Sequence, residues 1–120
     1  MDRPFDELTR LVVRFRDERD WAQFHHPKDI AVSIAIEAAE LLEHFQWKDR
    51  EEVSKMLADP SAKAQVGDEL ADVLILLLSA AEVMGVDLFE AVIGKVKRNA
   101  EKYPVEKSRG NARKYDRLDD

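Results

Sequence analysis

The sequence predicts an all-α fold of four main helices and one short extra helix, a four-helix bundle that oligomerisation completes. Apolar residues recur three and four positions apart over long stretches of the chain, which is the period of amphipathic helices. Glycine and proline occur only four times each, and charged residues make up 37% of the sequence. This balance is typical of helices with solvated outer faces.

Length and charge narrow the class of protein. A chain of 120 residues is one domain, and we expect a helical domain over 1–104 and a polar C-terminal tail over 105–120. The net charge of −6 argues against a nucleic-acid polymer as partner, because Lys and Arg bind phosphate backbones. The chain has no cysteine, and its longest uncharged run, Val73 to Ala81, is far shorter than the roughly 20 residues of a membrane span. We therefore expect a soluble, cytoplasmic protein without a membrane partner.

The first predicted helix begins near Phe5. Its apolar residues follow helical spacing: Leu8, Leu11, Val12 and Phe15. An aromatic and imidazole-rich connection, Trp21 to Pro27, comes next, and its proline disfavours helix in the residue before it. We interpret this connection as an ordered loop or a broken helix end.

The second helix is predicted from near Asp29 to about Trp47, and the short extra helix from Glu51 to Ala58. Asp59-Pro60 opens the third main helix, because Asp satisfies the first backbone amides and Pro presets φ. Gly85 closes that helix, as glycine often does just beyond a C-terminus.

The fourth helix is predicted to start after Asp87, with Glu90 at the capping-box position. Its core stripe is apolar: Phe89, Val92, Ile93, Val96 and Ala100. Tyr103-Pro104 ends this helix. The polar tail is expected to lie extended over a neighbour, or to stay disordered until substrate binds.

Two acidic pairs lie inside the two most apolar helices: Glu37 with Glu40, and Glu69 with Asp72. Residues three apart share a helix face, and helices this apolar are expected to be largely buried. Four clustered, partly desolvated carboxylates repel one another unless a cation neutralises them. Oxygen ligands favour a hard ion, so we predict Mg²⁺, or Mn²⁺ in its place, with all four acids as metal ligands and catalytic residues. The alternative is that one or more of these acids is a solvated helix position.

Two other groups of residues each have a structural and a functional interpretation. Trp21 and Trp47 are either core residues or platforms on which a nucleobase stacks. Lys95, Asn99 and Lys102 fall on one face of the fourth helix, which is either a solvated basic face or a row of phosphate and sugar contacts.

The three histidines are weaker candidates. His25 and His26 are adjacent and point apart, so we expect one of them to contact substrate or cap the next helix rather than bind metal. His44, four residues after Glu40, has a peripheral position on the same helix face.

The pattern E-x-x-E, 28 residues, E-x-x-D resembles the signature of the MazG-like all-α nucleoside triphosphate pyrophosphohydrolases. Within that superfamily the sequence is most similar to the dCTP pyrophosphatases. The likeness extends over residues 8–118 and includes these stretches: Arg19-Asp20-Trp21-Ala22-Gln23-Phe24-His25-His26-Pro27, Phe45-Gln46-Trp47-Lys48, the K-x-x-x-N…Y-P pattern of Lys95, Asn99, Tyr103 and Pro104, and Ser108-Arg109-Gly110…Lys114-Tyr115.

The resemblance implies a Mg²⁺-dependent hydrolase for dCTP or a related pyrimidine deoxynucleoside triphosphate. Metal-activated water would yield the monophosphate and pyrophosphate, in nucleotide-pool control or house-cleaning. Substrate-binding roles are implied for these residues: Trp21, His25, Trp47, Lys95, Asn99, Lys102, Tyr103 and Arg109. One position departs from the pattern, because Val12 stands where animal members carry a base-contacting histidine. The base preference is therefore left open.

Two other classes of helical protein also use clustered acidic residues. Ferritin-like di-metal oxidases use Glu-x-x-His on two helices, and neither acidic pair has that form. A non-catalytic helical metal-binding interaction protein is the remaining alternative, although two tryptophans near the acids and a separate basic row argue against it. Because the two central helices are apolar on more faces than three neighbours cover, we predict a homodimer or homotetramer.

Overall fold

The computed structural model describes residues 3–120, and Met1 and Asp2, the first two residues of the predicted helical domain, lie outside the described residues. It contains helices and turns, and no strand occurs between residues 3 and 120, which confirms the all-α class. The helices are α1 Pro4–Glu18, α2 Pro27–Glu43, α3 Arg50–Ala58, α4 Pro60–Met84, α5 Leu88–Lys102 and α6 Val105–Ser108, with 3₁₀ turns at Ala22–Phe24 and Tyr115–Arg117.

The bounds of α2 differ from the prediction at both ends. The helix begins at Pro27 rather than near Asp29, because Nδ1 of His26 accepts a hydrogen bond from the Lys28 N–H at 3.2 Å and caps the first turn. It ends at Glu43 rather than Trp47. Beyond that point the backbone tightens into i→i−3 hydrogen bonds, such as Phe45 N–H to the Leu42 carbonyl at 2.9 Å, which is common at helix ends.

The predicted start and end of α4 are confirmed. Asp59 caps the helix by accepting from the Ala62 N–H at 3.4 Å. Gly85 ends α4 at φ 68°, in the left-handed region. At the start of α3, Asp49 accepts from the Glu52 N–H at 2.8 Å, a cap that was not predicted from the sequence.

The chain forms two compact units, residues up to Val86 and Asp87–Asp120. In the first unit α4 is the central element, since it packs against α1, α2 and α3, and most extensively against α2. Arg16 of α1 also forms an ion pair with Glu82 of α4, with Nη1 2.5 Å from Oε2. Because α2 packs on α4, the helices that carry the two acidic pairs lie against each other.

The expectation that α2 is largely buried is wrong for the single chain. Ile30 is its one buried residue, while Val32, Ile36 and Leu42 are 52%, 53% and 58% exposed. The reason is that α4 is the helix that packs extensively on α2 among the described elements, so the remaining faces of α2 are uncovered.

The second unit contains α5, α6 and the C-terminal turn. Asp87 Oδ1 accepts from the Glu90 N–H at 3.1 Å, so the predicted cap of α5 is confirmed. The predicted core stripe of α5 is not buried: Val92, Ile93 and Val96 are exposed. As on α2, the single chain does not cover this face.

The prediction of an extended or disordered tail is also wrong. After α6, the ring of Tyr115 packs edge-on against Tyr103, with ring centroids 6.3 Å apart. Lys107 Nζ lies 2.8 Å from Asp119 Oδ1, and these contacts fold the tail back on itself. The predicted boundary at 104/105 stays a prediction.

Within the described part of the chain, no helix is long and apolar enough to cross a membrane.

Candidate functional site

Four predicted acidic residues project from two packed helices. Glu37 and Glu40 lie one turn apart on α2, and Glu69 and Asp72 one turn apart on α4. One carboxylate oxygen from each of Glu37, Glu40 and Glu69 lies within 4.8 Å of the others, and these three side chains are half-buried. Asp72 is exposed and outside this group of three, although its charge acts on Glu37.

The neighbouring carboxylates favour the protonated form of Glu37. The pKa of Glu37 is raised to about 7, first by a hydrogen bond with the Glu40 carboxyl group, then by desolvation, and then by the charges of Glu40, Asp72 and Glu69. Like charges at this distance disfavour full ionisation. The site therefore holds a proton more readily than a solvated glutamate does.

Two oxygens of the cluster lack any partner. Oε2 of Glu37 and Oε2 of Glu69 are buried and form no hydrogen bond within the described residues. A buried carboxylate oxygen without a partner is costly, and a hard cation is the ligand that carboxylate oxygens bind well. The arrangement therefore fits a divalent metal ion.

His44, for which only a peripheral role was expected, lies beside the carboxylate cluster. Its Nε2 lies 3.9 Å from Oε1 of Glu69, and the two side chains are 24% and 23% exposed. In the range 3–120, no Lys or Arg nitrogen lies within 4 Å of the four acids. The signal in the sequence was its spacing of four residues from Glu40, which puts both on one helix face.

The two tryptophans lie on the connections before and after α2. Trp21 is 45% exposed and meets the Phe15 ring edge-on, with ring centroids 5.8 Å apart. Trp47 is 86% exposed. In the single chain neither residue is in the core, so their aromatic faces are accessible.

His25 and His26 have separate roles. His26 caps α2, as one of the two alternatives predicted. His25 is half-buried, and its Nδ1 is covered without a hydrogen-bond partner among residues 3–120. Neither histidine belongs to the carboxylate cluster.

The predicted phosphate and sugar contacts all belong to the second unit. Lys95, Asn99 and Lys102 lie on α5, followed by Tyr103, and Arg109 follows α6. The Nζ of Lys102 lies 4.9 Å from the centroid of the Tyr115 ring, within the range of a cation–π contact. Substrate binding by these residues stays a prediction.

An apolar cavity of about 510 Å³ lies between α1 and α4. It includes Val12, the position at which the sequence departs from the family pattern. Its lining is wholly apolar: Leu8, Leu11, Val12, Phe15, Ala71, Leu74, Ile75 and Leu78. Helical spacing predicted the residues of α1 that line it, but no sequence signal showed that they would leave a cavity against α4.

Comparison with known proteins gives consistent matches. The model of the MazG-like family matches residues 32–118. The chain is 43% identical over 110 residues to dCTP pyrophosphatase 1 of Mus musculus, covering 92% of this chain and 65% of that protein. It is 39% identical over 113 residues to dCTP pyrophosphatase 1 of Homo sapiens, covering 94% and 66%. The chain thus spans about 65% of the length of these curated relatives.

A solved structure supports the same likeness at the level of the fold. The crystal structure of a pyrophosphatase from Archaeoglobus fulgidus DSM 4304 matches with a TM-score of 0.79 and 43% sequence identity. The match covers 87% of this chain and 95% of that one.

Proposed function

Because this chain belongs to the MazG-like family, we propose that it is a Mg²⁺-dependent nucleoside triphosphate pyrophosphohydrolase. Its products are the nucleoside monophosphate and pyrophosphate. The observation that carries the proposal is the convergence of Glu37, Glu40 and Glu69 between α2 and α4, where two buried carboxylate oxygens have no hydrogen-bond partner among residues 3–120. The preferred substrate is dCTP or a related pyrimidine deoxynucleoside triphosphate, in keeping with the names of the curated relatives.

In this mechanism the four acids would hold Mg²⁺: Glu37, Glu40 and Glu69 from the cluster and the exposed Asp72. When bound, Mg²⁺ neutralises phosphate oxygens and lowers the pKa of water near it. One of the three clustered glutamates also orients the attacking water by accepting a hydrogen bond from it. Since the pKa of Glu37 is about 7 in the free protein, its carboxyl group exchanges a proton near neutral pH.

The remaining proposed contacts bind and orient the nucleotide. Trp21 and Trp47 offer exposed aromatic faces, and base stacking on such a face is worth roughly 1–3 kcal/mol. His25 supplies a polar contact beside Trp21. For the phosphates and sugar we assign the residues that match the family pattern: Lys95, Asn99, Lys102, Tyr103 and Arg109.

We also propose that the chain functions as a homodimer or homotetramer. Large apolar side chains are exposed on every described helix, and those more than half exposed include Leu11 on α1, Ile36 on α2, Leu70 on α4 and Val96 on α5. Scattered exposed apolar residues are ordinary, but extended apolar faces mark interaction surfaces. Association of identical chains covers such faces on every copy.

An assay of product identity tests the reaction. Purified protein with Mg²⁺ is given a panel of ribo- and deoxynucleoside triphosphates, and the products are separated by ion-exchange chromatography. We expect monophosphate with pyrophosphate, pyrimidine deoxynucleotides to react fastest, and Glu69→Gln to be inactive. Glu43→Gln, which removes an exposed carboxylate from the same helix as Glu37, is the matched control and retains activity.

Two results would contradict the proposal. Diphosphate with inorganic phosphate as products would show attack at the terminal phosphorus and overturn the reaction. Mg²⁺ binding without turnover of any nucleotide would favour the non-catalytic metal-binding alternative.

A further inference from the structure

His44 is the one basic group placed against the carboxylate cluster in the described chain, and the proposed mechanism gives it no part. It follows Glu40 by one helical turn, so the two side chains share a face of α2. Its Nε2 lies 3.9 Å from Oε1 of Glu69 on the opposite helix, and both side chains are about three-quarters covered. The imidazole therefore spans the α2–α4 interface at the edge of the cluster.

The end of α2 holds this imidazole in place. The His44 N–H donates to the Leu41 carbonyl at 3.3 Å, and the Gln46 N–H donates to the Leu42 carbonyl at 3.0 Å, which fixes the backbone on both sides of His44. The imidazole also meets the Phe45 ring edge-on, with centroids 6.5 Å apart at 66°. Backbone and ring contacts together restrict where Nε2 points.

The two oxygens of Glu69 have different surroundings. Oε1 faces His44, whereas Oε2 is buried without a hydrogen-bond partner among the described residues. A glutamate has three rotatable side-chain bonds, so a contact to one oxygen restricts the direction of the other. The Glu69 carboxylate thus contacts His44 through Oε1, while Oε2 is available to bind a ligand.

We propose that His44 is a positioning residue for the cation site, whose Nε2–H holds Oε1 of Glu69 and leaves Oε2 to bind the metal ion. This inference rests on the proposed metal-dependent function. At 3.9 Å the contact is longer than a hydrogen bond, and a small side-chain rotation would bring Nε2 and Oε1 within hydrogen-bond distance. Groups that orient metal ligands in this way typically change metal affinity by 10–100-fold.

Metal binding by substrate-free protein tests the proposal without reference to activity. Mn²⁺ affinity is measured from the electron paramagnetic resonance signal of the free ion for wild type, His44→Leu and His44→Gln. We expect His44→Leu to bind Mn²⁺ about tenfold more weakly. His44→Gln keeps an N–H donor of similar reach and is expected to recover most of the lost affinity. Gln46→Leu, a polar-to-leucine change at the exposed end of the same turn, is the control and binds as wild type does.

The possible outcomes distinguish a failure of the His44 role from a failure of the proposed function. If wild type binds Mn²⁺ and His44→Leu binds it equally well, the positioning role is wrong and the proposed function is untouched. Tighter binding by His44→Leu would also overturn it, because His44 would then be acting as a counter-charge that competes with the cation. Absence of Mn²⁺ binding by wild type would overturn both.

A second measurement covers the case in which His44→Leu does not fold. The ¹⁵N resonance of His44 Nε2 is followed in wild-type protein during a Mg²⁺ titration. We expect this resonance to shift and to saturate together with metal binding. A resonance that does not move while Mg²⁺ binds would overturn the positioning role.

Discussion

At Glu37, a proton and the proposed divalent cation would compete for the same carboxylate. Its pKa is raised from 4.5 to about 7, chiefly by the hydrogen bond with Glu40 and by desolvation. Between these two values the folded protein holds this proton while the unfolded chain has lost it. The stability that Glu37 contributes is therefore fully present below about pH 4.5 and is lost as the pH rises through about 7.

This loss of stability with rising pH gives the first prediction. In EDTA, the melting temperature of wild type relative to Glu37→Gln should fall as the pH is raised from 5 to 8, because the variant has no group to titrate at this position. With Mg²⁺ present, the stabilisation by metal should instead grow over the same range, since the cation needs the deprotonated carboxylate. Both are measured by thermal unfolding in matched buffers. Parallel curves for the two proteins in EDTA would contradict the raised pKa.

A second prediction concerns Glu40. Replacing Glu40 by Gln removes one of the repelling charges, so the metal-free protein should be equally stable or more stable by about 1 kcal/mol, while activity is lost. Wild type should gain roughly 2.7 kcal/mol from Mg²⁺ at a hundred times its dissociation constant, and the variant much less. Glu43→Gln on the same helix is the control for loss of charge. The stability of wild type, Glu40→Gln and Glu43→Gln is measured by thermal unfolding with and without Mg²⁺.

A loss of stability in Glu40→Gln would have a different explanation. If Glu40 were one partner of a structural ion pair, its loss would lower stability by about 3–5 kcal/mol whether or not Mg²⁺ is present. That outcome would remove Glu40 from the metal site.

For helix α4, the third prediction concerns two glycines, Gly67 within the helix and Gly85 just after its last residue. Gly85 ends the helix at φ 68°, whereas Gly67 lies within it, and in both cases an added Cβ would have no neighbour within 4 Å. Steric crowding is therefore equal, and only backbone conformation differs. Gly85→Ala should destabilise by about 1 kcal/mol because alanine is strained in the left-handed region. Gly67→Ala should stabilise by roughly 0.5–1 kcal/mol because alanine favours helix.

Urea unfolding of the two variants and wild type measures both differences. The same sign for both variants would contradict the roles assigned to these glycines. Such a result would mean that the predicted end of α4 at Gly85 does not depend on the left-handed conformation.

At the scale of the whole molecule, a single chain leaves much apolar surface exposed. The apolar faces of α1, α2 and α5 that periodicity assigned to a core are uncovered, with Leu11, Ile36 and Val96 each more than half exposed. We predict that light scattering at micromolar concentration gives two or four times the mass of one chain. The melting temperature should rise with protein concentration, because association stabilises the folded state by mass action. The mass of a single chain at these concentrations would contradict the prediction.

Local sequence signals predicted helices α1 to α5 and the acidic residues of the candidate site, but not α6. Helical spacing, the caps at Asp59 and Asp87 and the stop at Gly85 are local signals, because a helix is stabilised by contacts between residues close in sequence. The two acidic pairs followed from the same periodicity.

The relations between helices depend on tertiary packing, since a sequence pattern predicts the face on which a residue lies but not what that face contacts. The packing of α2 on α4 brought Glu37, Glu40 and Glu69 together, left Asp72 exposed and placed His44 beside Glu69. It also left apolar faces uncovered that periodicity alone assigned to a core, because periodicity does not distinguish burial within one chain from burial between chains.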